Sequence, residues 1–184
     1  MRARDLTALL EDHDVAVREF LDRASAVPSY RWHAPRAQGK WSPAQETQHI
    51  VRAFDAYLRD LRGEGTMRLK GKWWQRRLWR WVIMPRMLEG RWITRQVRAP
   101  REIRPEERPA DKAPLLAELR HRVETFESTL VEARRVDPKR RVTHPFFGRI
   151  DLATLVRLSA AHTRHHARFL PDPQSPTAGP ESVT

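Results

Sequence analysis

The chain has 184 residues, of which 40% are hydrophobic and 32% charged, and its formal net charge is +12. This composition predicts a soluble globular protein, and the lack of cysteine excludes disulfides and thiolate ligands, so that any metal must sit on nitrogen or oxygen. No stretch reaches the roughly 18 uncharged apolar residues of a membrane span. No apolar run of signal-peptide length follows the N-terminus, so we expect a cytoplasmic protein without a transmembrane segment.

Two amphipathic helices are predicted in the first third of the chain. Apolar residues recur at three- and four-residue steps over residues 6–24, and Pro28 ends this first helix. The second helix begins at Ser42-Pro43-Ala44-Gln45, where serine caps the helix, proline takes the first helical position and glutamine completes a capping box. Its apolar face continues until Gly63 ends it.

The connection over residues 63–110 is basic and rich in tryptophan. Residues 66–105 hold five of the seven tryptophans, and twelve basic side chains stand against two acidic ones, a net charge of +10. A helix is predicted from Lys72 to Met84, where Pro85 breaks or kinks it. The connection is long enough to return about a helix length, roughly 30 Å, so we expect a long crossover between the second and third helices.

The predicted crossover helix carries two stripes. Trp74, Leu78, Trp81 and Val82 form one, whereas the basic residues Lys72, Arg76 and Arg80 form the other. We expect the tryptophans to pack on the helical core or to roof a pocket while the arginines face water, because such a helix must bury its apolar face. The alternatives are contact with a membrane, with a partner protein or second copy, or, least favoured, with nucleic acid.

Two more long helices complete the predicted fold. The third runs from Asp111 to Val136, a turn follows over residues 143–148, and the fourth runs from its N-cap Asp151 to Leu170. We predict no strands, and a disordered proline-rich tail over residues 171–184. The fold class is therefore all-α, a four-helix bundle formed by residues 1–170.

Three histidines are candidate metal ligands. His162 and His166 lie four apart on one helix, so both rings stack on one face and interrupt an apolar line. His49 lies at the buried seam of the second helix. The three together would form a His₃ site with open coordination positions, which is typical of catalytic metals. The alternative is that the pair lies exposed at a helix edge and that His49 is a satisfied core residue.

Other residues near this site are weaker candidates. Glu46, one turn before His49, could orient a ligand or act as a base, and the alternative is a solvated carboxylate at a helix start. His165 points away from His166 by about 100°. We expect it to contact one of the metal-binding histidines without binding the metal itself, or to lie at the surface. His13 lies on the apolar stripe of the first helix and could reach the site, although a core or edge position is favoured.

Three stretches of the chain resemble the DinB-like superfamily, which includes the YfiT-type proteins: residues 40–50 (KWSPAQETQHI), 144–148 (HPFFG) and 162–166 (HTRHH). The resemblance implies a four-helix bundle with an up-down-down-up course. It also implies a divalent metal, usually zinc or nickel, held by three histidines, which are His49, His162 and His166 here. Homodimers are common in the family.

The resemblance also suggests an activity without selecting one. It implies a metal-dependent enzyme acting on a small molecule, either a thiol S-transferase working through a metal-bound thiolate or a hydrolase working through metal-bound water. Since the chain lacks cysteine, a low-molecular-weight thiol would have to be a cosubstrate. The alternative is a non-catalytic protein that binds a metal or that binds a surface through its arginine- and tryptophan-rich segment.

Overall fold

A computed structural model describes residues 3–91 and 99–171 of the chain. It contains five helices and one hairpin: α1 (Ala3–Ala26), α2 (Pro43–Arg62), α3 (Trp73–Leu88), α4 (Lys112–Val136), β1 (Arg141–His144), β2 (Gly148–Asp151) and α5 (Leu152–Ala167). Short 3-10 turns lie at Ser29–Arg31 and Arg101–Ile103. The all-α class is confirmed.

The helix starts follow from local sequence. Ser42 accepts a hydrogen bond from the backbone N–H of Gln45, whose side chain accepts one from the backbone N–H of Ser42. The predicted capping box is therefore confirmed. Asp151 likewise caps α5 by accepting from the N–H of Thr154 at 2.8 Å. Gly63 ends α2 with φ of +78°, a left-handed conformation that glycine adopts without strain.

Helix α2 packs mainly on α4, and the two run in the same direction. At one end, the amide of Gln45 donates to the carbonyl of Glu107, just before α4 begins. At the other end, Arg140, just after α4, donates to the carbonyl of Asp60. Two parallel neighbours require a connection that returns along their length, and residues 63–111, which include α3, form the connection between them.

Helix α1 packs mainly on α5, and this pair runs opposite to α2 and α4. Lys112, at the start of α4, donates to the carbonyl of Val27, just past the end of α1. Glu46, at the start of α2, meets His166 near the end of α5. The four-helix bundle and its up-down-down-up course stay predictions, with which these contacts between helix ends agree.

The absence of strands was a wrong prediction, because an antiparallel hairpin connects α4 to α5. Strand β1 pairs with β2 from Arg141 opposite Asp151 to His144 opposite Gly148. Gly148 has φ of +71°, which closes the three-residue loop. The carboxylate of Asp60, on α2, accepts the backbone N–H of Thr143 at 2.6 Å, so a tertiary contact holds the hairpin on the helices.

One prediction about α3 was wrong in part and another was wrong. The helix does not break at Pro85 but continues to Leu88, because the missing N–H removes one hydrogen bond while Glu89 still closes the last turn on the Pro85 carbonyl. A kink at Pro85 stays a prediction. The orientation is opposite to the expected one. Among the described tryptophans of α3, only Trp79 packs against the core, and Trp73, Trp74 and Trp81 are exposed.

Some predictions fall outside the described residues. Trp92 of the basic segment lies there, and so do residues 172–184 of the predicted disordered tail. The domain limits of 1–170 stay a prediction. No helix within residues 3–91 and 99–171 is long and apolar enough to cross a bilayer.

Candidate metal centre

His49 is held in position by the helix that carries it and by a loop that crosses over it. It lies two turns after the Ser42 cap and is 3% exposed. Its Nδ1 lies 2.7 Å from the carbonyl oxygen of Ile103, in the 3-10 turn before α4. A carbonyl can only accept, so Nδ1 carries the proton and Nε2 of the neutral ring presents a lone pair. This hydrogen bond therefore directs Nε2 away from the loop.

His162 and His166 lie on one face of the last turns of α5. Their ring centroids are 4.5 Å apart and their planes are nearly perpendicular. His166 is buried, whereas His162 is partly exposed. Nδ1 of His166 lies 2.6 Å from a carboxylate oxygen of Glu46, one turn before His49 on α2. The i, i+4 spacing places two rings on one face of α5, and the start of α2 lies near the end of α5, so that the three rings come together.

The three Nε2 atoms converge. Nε2 of His162 lies 3.1 Å from that of His49 and 3.0 Å from that of His166. Metal–nitrogen bonds of 2.0–2.1 Å place neighbouring ligand nitrogens about 3.0–3.4 Å apart. One atom from each histidine lies within 4.8 Å of the others. Two of the three nitrogen separations therefore match the spacing of ligands on one divalent ion.

The donor chemistry fits a cation as well. Nε2 of His49 is an acceptor, and so is that of His166 when its Nδ1–H donates to an ionised Glu46. The neutral ring of His162 can donate a proton to only one of them. At least one lone pair then faces another nitrogen at about 3 Å, an unfavourable contact that a bound cation would convert into a bond.

The electrostatic environment keeps the rings uncharged. Burial lowers the pKa of His49 to about 4, although the hydrogen bond to Ile103 acts in the opposite direction. Burial, followed by the neighbouring histidines, places the pKa values of His162 and His166 well below the usual range. All three are therefore neutral at pH 7, the form in which imidazole binds metals.

Glu46 is almost fully buried, at 2% exposure, which contradicts the solvated alternative. Burial raises the pKa of its carboxyl to about 8, and the charge of Arg36 acts against this. A cation among the three Nε2 atoms would also favour the carboxylate, because an opposite charge nearby stabilises the ionised form. Glu46 then has the position of the carboxylate that orients a metal-bound histidine through its outer nitrogen.

Aromatic side chains for which the sequence predicted no role at the site surround it. The ring of Trp41 lies 4.8 Å from that of His49 and is stacked near parallel to that of His166 at 6.2 Å. Phe169 meets His166 edge-on, and the guanidinium of Arg36 lies 3.8 Å from the Phe169 ring centroid. The signal for Trp41 was its place just before the N-cap, from which an apolar residue commonly packs on the first turns of the helix.

The other candidate histidines lie outside the cluster. His165 is partly exposed and packs edge-on against His166 and Phe169. His13 is fully buried in the core between α1 and α4, where its Nδ1 lies 2.7 Å from Glu127. His144 is buried and stacks on Phe147 at 4.5 Å.

The helices and the cluster define a helical protein with a three-histidine site suited to a metal ion. The model of the DinB superfamily matches residues 12–170, and the chain belongs to that superfamily. No curated protein and no solved structure matches the chain.

Proposed function

We propose that this protein is a divalent-metal-dependent enzyme whose ion is held by His49, His162 and His166. The observation that carries the proposal is the convergence of the three Nε2 atoms, with the outer nitrogens of two rings held by protein acceptors. Three protein ligands leave coordination positions free, the arrangement typical of catalytic rather than structural ions. Zinc or nickel is the proposed ion, since imidazole suits both.

The residues around the triad have separate tasks in this proposal. The Ile103 carbonyl and the Glu46 carboxylate fix the tautomer and the orientation of His49 and His166. Trp41 packs against the same two rings and keeps water from that side. The partial exposure of His162 makes its side the entry for a small-molecule substrate. Arg36 is exposed and lies over Phe169, which contacts His166, so it brings positive charge close to the cluster.

Two reactions fit the open positions, thiol S-transfer and hydrolysis. When bound, the ion would act as a Lewis acid that lowers the pKa of a thiol or water placed on it. The chain has no cysteine, so a thiol must come from a low-molecular-weight cosubstrate. Glu46 is the proposed positioning residue for both reactions, because its carboxylate is engaged with His166 and is buried away from the entry.

Cobalt substitution separates the two reactions. The Co²⁺-loaded protein is titrated with small thiols while its absorption spectrum is followed. Because the protein contains no cysteine, any thiolate-to-cobalt band must come from the added thiol. A band that appears in the wild-type protein and is absent in His162→Ala supports thiol transfer, and turnover with an electrophile is then measured.

The controls address both the fold and the ion. His121→Ala, on the exposed side of α4, should behave as the wild type. If cobalt binds and no thiol gives a band, the transferase version is wrong, and metal-dependent cleavage of esters and amides is measured instead. Failure of both activities in a fully loaded protein would contradict an enzymatic function and favour the non-catalytic metal-binding alternative.

A further inference from the structure

We propose that α3 binds the surface of an anionic lipid bilayer, with its tryptophans inserted among the headgroups. This inference is independent of the metal site. It rests on the exposed apolar side chains of the helix, where Trp73 is 70%, Trp81 72%, Leu78 54% and Trp74 49% exposed. Among the residues of α3, all of which are described, none is buried. Apolar area of this size on a surface helix marks a contact site.

Helix α3 has two apolar faces, of which one packs against the core that residues 3–91 and 99–171 form. Trp79, Ile83 and Met87 lie along one face and pack against the core. Trp74, Leu78 and Trp81 lie on the opposite side, within an arc of about 100° that also includes Val82 and Pro85. The second face, here called the tryptophan stripe (Trp74, Leu78, Trp81, Val82 and Pro85), therefore faces away from the protein.

The charge around the tryptophan stripe selects the partner. Residues 66–91 contain eight basic side chains and one acidic one, and α3 itself has no acidic residue. Arg77 and Arg86 are exposed and flank the stripe on its two sides. An apolar stripe with tryptophan, flanked by arginines, is the pattern of a helix that lies in the interface of an anionic bilayer. Tryptophan prefers that depth, where its ring is half apolar and half hydrated.

Charge also argues against a second copy as the occupant. A two-fold dimer through the stripe would place one α3 on another, and the flanking arginines of both copies would meet without an acidic partner on either helix. Like charges brought together at an interface oppose association. Phosphate groups of anionic lipids complement these arginines, while the acyl region receives the tryptophan rings.

Vesicle sedimentation tests the proposal on the full-length protein. Wild type, Trp74→Ser/Trp81→Ser and the matched control Val131→Ser/Val136→Ser are mixed with vesicles of phosphatidylcholine alone or with added phosphatidylglycerol. The control removes two exposed apolar side chains from α4. We expect the wild type and the control to bind the anionic vesicles, and salt to reduce this binding. The tryptophan variant should bind more weakly by a factor of about ten or more.

Each remaining outcome overturns the proposal. Absence of wild-type binding to the anionic vesicles does so directly. Equal binding by wild type and tryptophan variant would mean that charge alone, without the stripe, holds the protein. Sedimentation velocity without lipid shows whether wild type is a dimer that the tryptophan variant dissociates. That result, together with no vesicle binding, would assign the stripe to a second copy. Melting temperatures of all variants confirm that the fold is retained.

Discussion

A carboxylate oxygen of Glu46 lies 2.6 Å from Nδ1 of His166, and both side chains are buried. This hydrogen bond joins the first turn of α2 to the last turn of α5, which are 120 positions apart in sequence. Helix α2 therefore contributes two residues to the candidate metal centre. His49 belongs to the histidine cluster, and Glu46 orients the ring of His166 on α5.

Glu46→Gln should weaken divalent metal binding by about 10–100-fold without unfolding the protein. The amide keeps the shape of the carboxyl group and loses the charge that favours a positive site. Competition between the protein and a chelator measures the affinity of the variant. Glu64→Gln, an exposed change just past the end of α2, serves as the control. An unchanged affinity in Glu46→Gln would remove Glu46 from the metal site.

The hydrogen bond between the buried His13 and the partly exposed Glu127 should contribute to stability and not to metal binding. Glu127 accepts from Nδ1 of His13, whose Nε2 has no hydrogen-bond partner among the described residues. In Glu127→Ala, the buried ring would lose its acceptor, and we expect the free energy of unfolding to fall by about 1–3 kcal/mol. Urea unfolding measures this, with the exposed Glu124→Ala as control. Equal stability of the two variants would contradict the prediction.

Acid should destabilise the folded chain partly through His144. Burial lowers the pKa of this histidine to about 3, from an ordinary value of 6.5. As the pH falls below 6.5, His144 becomes protonated in the unfolded chain, whereas in the folded chain it stays neutral until about pH 3. Protonation therefore favours unfolding, and the free energy of unfolding declines through this window by up to about 1.4 kcal/mol per pH unit.

The contribution of His144 to the pH dependence of stability is obtained by comparing the wild type with a variant that lacks this histidine. His49, His162 and His166 act with the same sign, so the wild type and His144→Gln are compared by urea unfolding at several pH values in the presence of a chelator. We expect the decline towards low pH to be shallower in His144→Gln and unchanged in His121→Gln, whose ring is exposed. Parallel pH profiles for wild type and His144→Gln would show that the ring is already charged in the folded protein.

Local rules predicted the helices well because their signals lie within a few residues. The capping box at Ser42 and the N-cap at Asp151 each join residues three apart, and both form as expected. The hairpin was missed because strands of four residues are too short for a clear alternation. Its position also depends on Asp60, which lies on another helix and cannot be inferred from the hairpin sequence.

Periodicity in the sequence did not predict the orientation of α3 on the protein. The sequence locates the stripes on the helix, yet it does not say which stripe meets the protein. On the side of α3 that packs against the protein, Trp79 contacts Phe146, and Arg80 donates a hydrogen bond to the carbonyl of Arg149 in the hairpin. These partners became available only through the hairpin that the sequence did not predict.

The three histidines of the candidate site were predicted to lie together, whereas most of their surroundings were not predicted. Spacing on α5 and the position of His49 on α2 indicated the cluster, and the family resemblance favoured it over separate exposed or core histidines. That these histidines bind a metal stays a prediction. The carbonyl of Ile103 gave no signal, since any residue type could supply it from that loop. The packing of Trp41 on two ligand rings depends on how α2 meets α5.

The metal content of the protein shows whether His49, His162 and His166 hold an ion. Protein purified without an affinity tag is saturated with zinc or nickel, freed of excess ion and analysed for elements. His49→Ala, His162→Ala and His166→Ala are treated in parallel, with His121→Ala as control. We predict about one ion per chain in wild type and control and a loss of the ion in all three variants. A wild type that binds no ion, or three folded variants that keep it in full, would contradict the account.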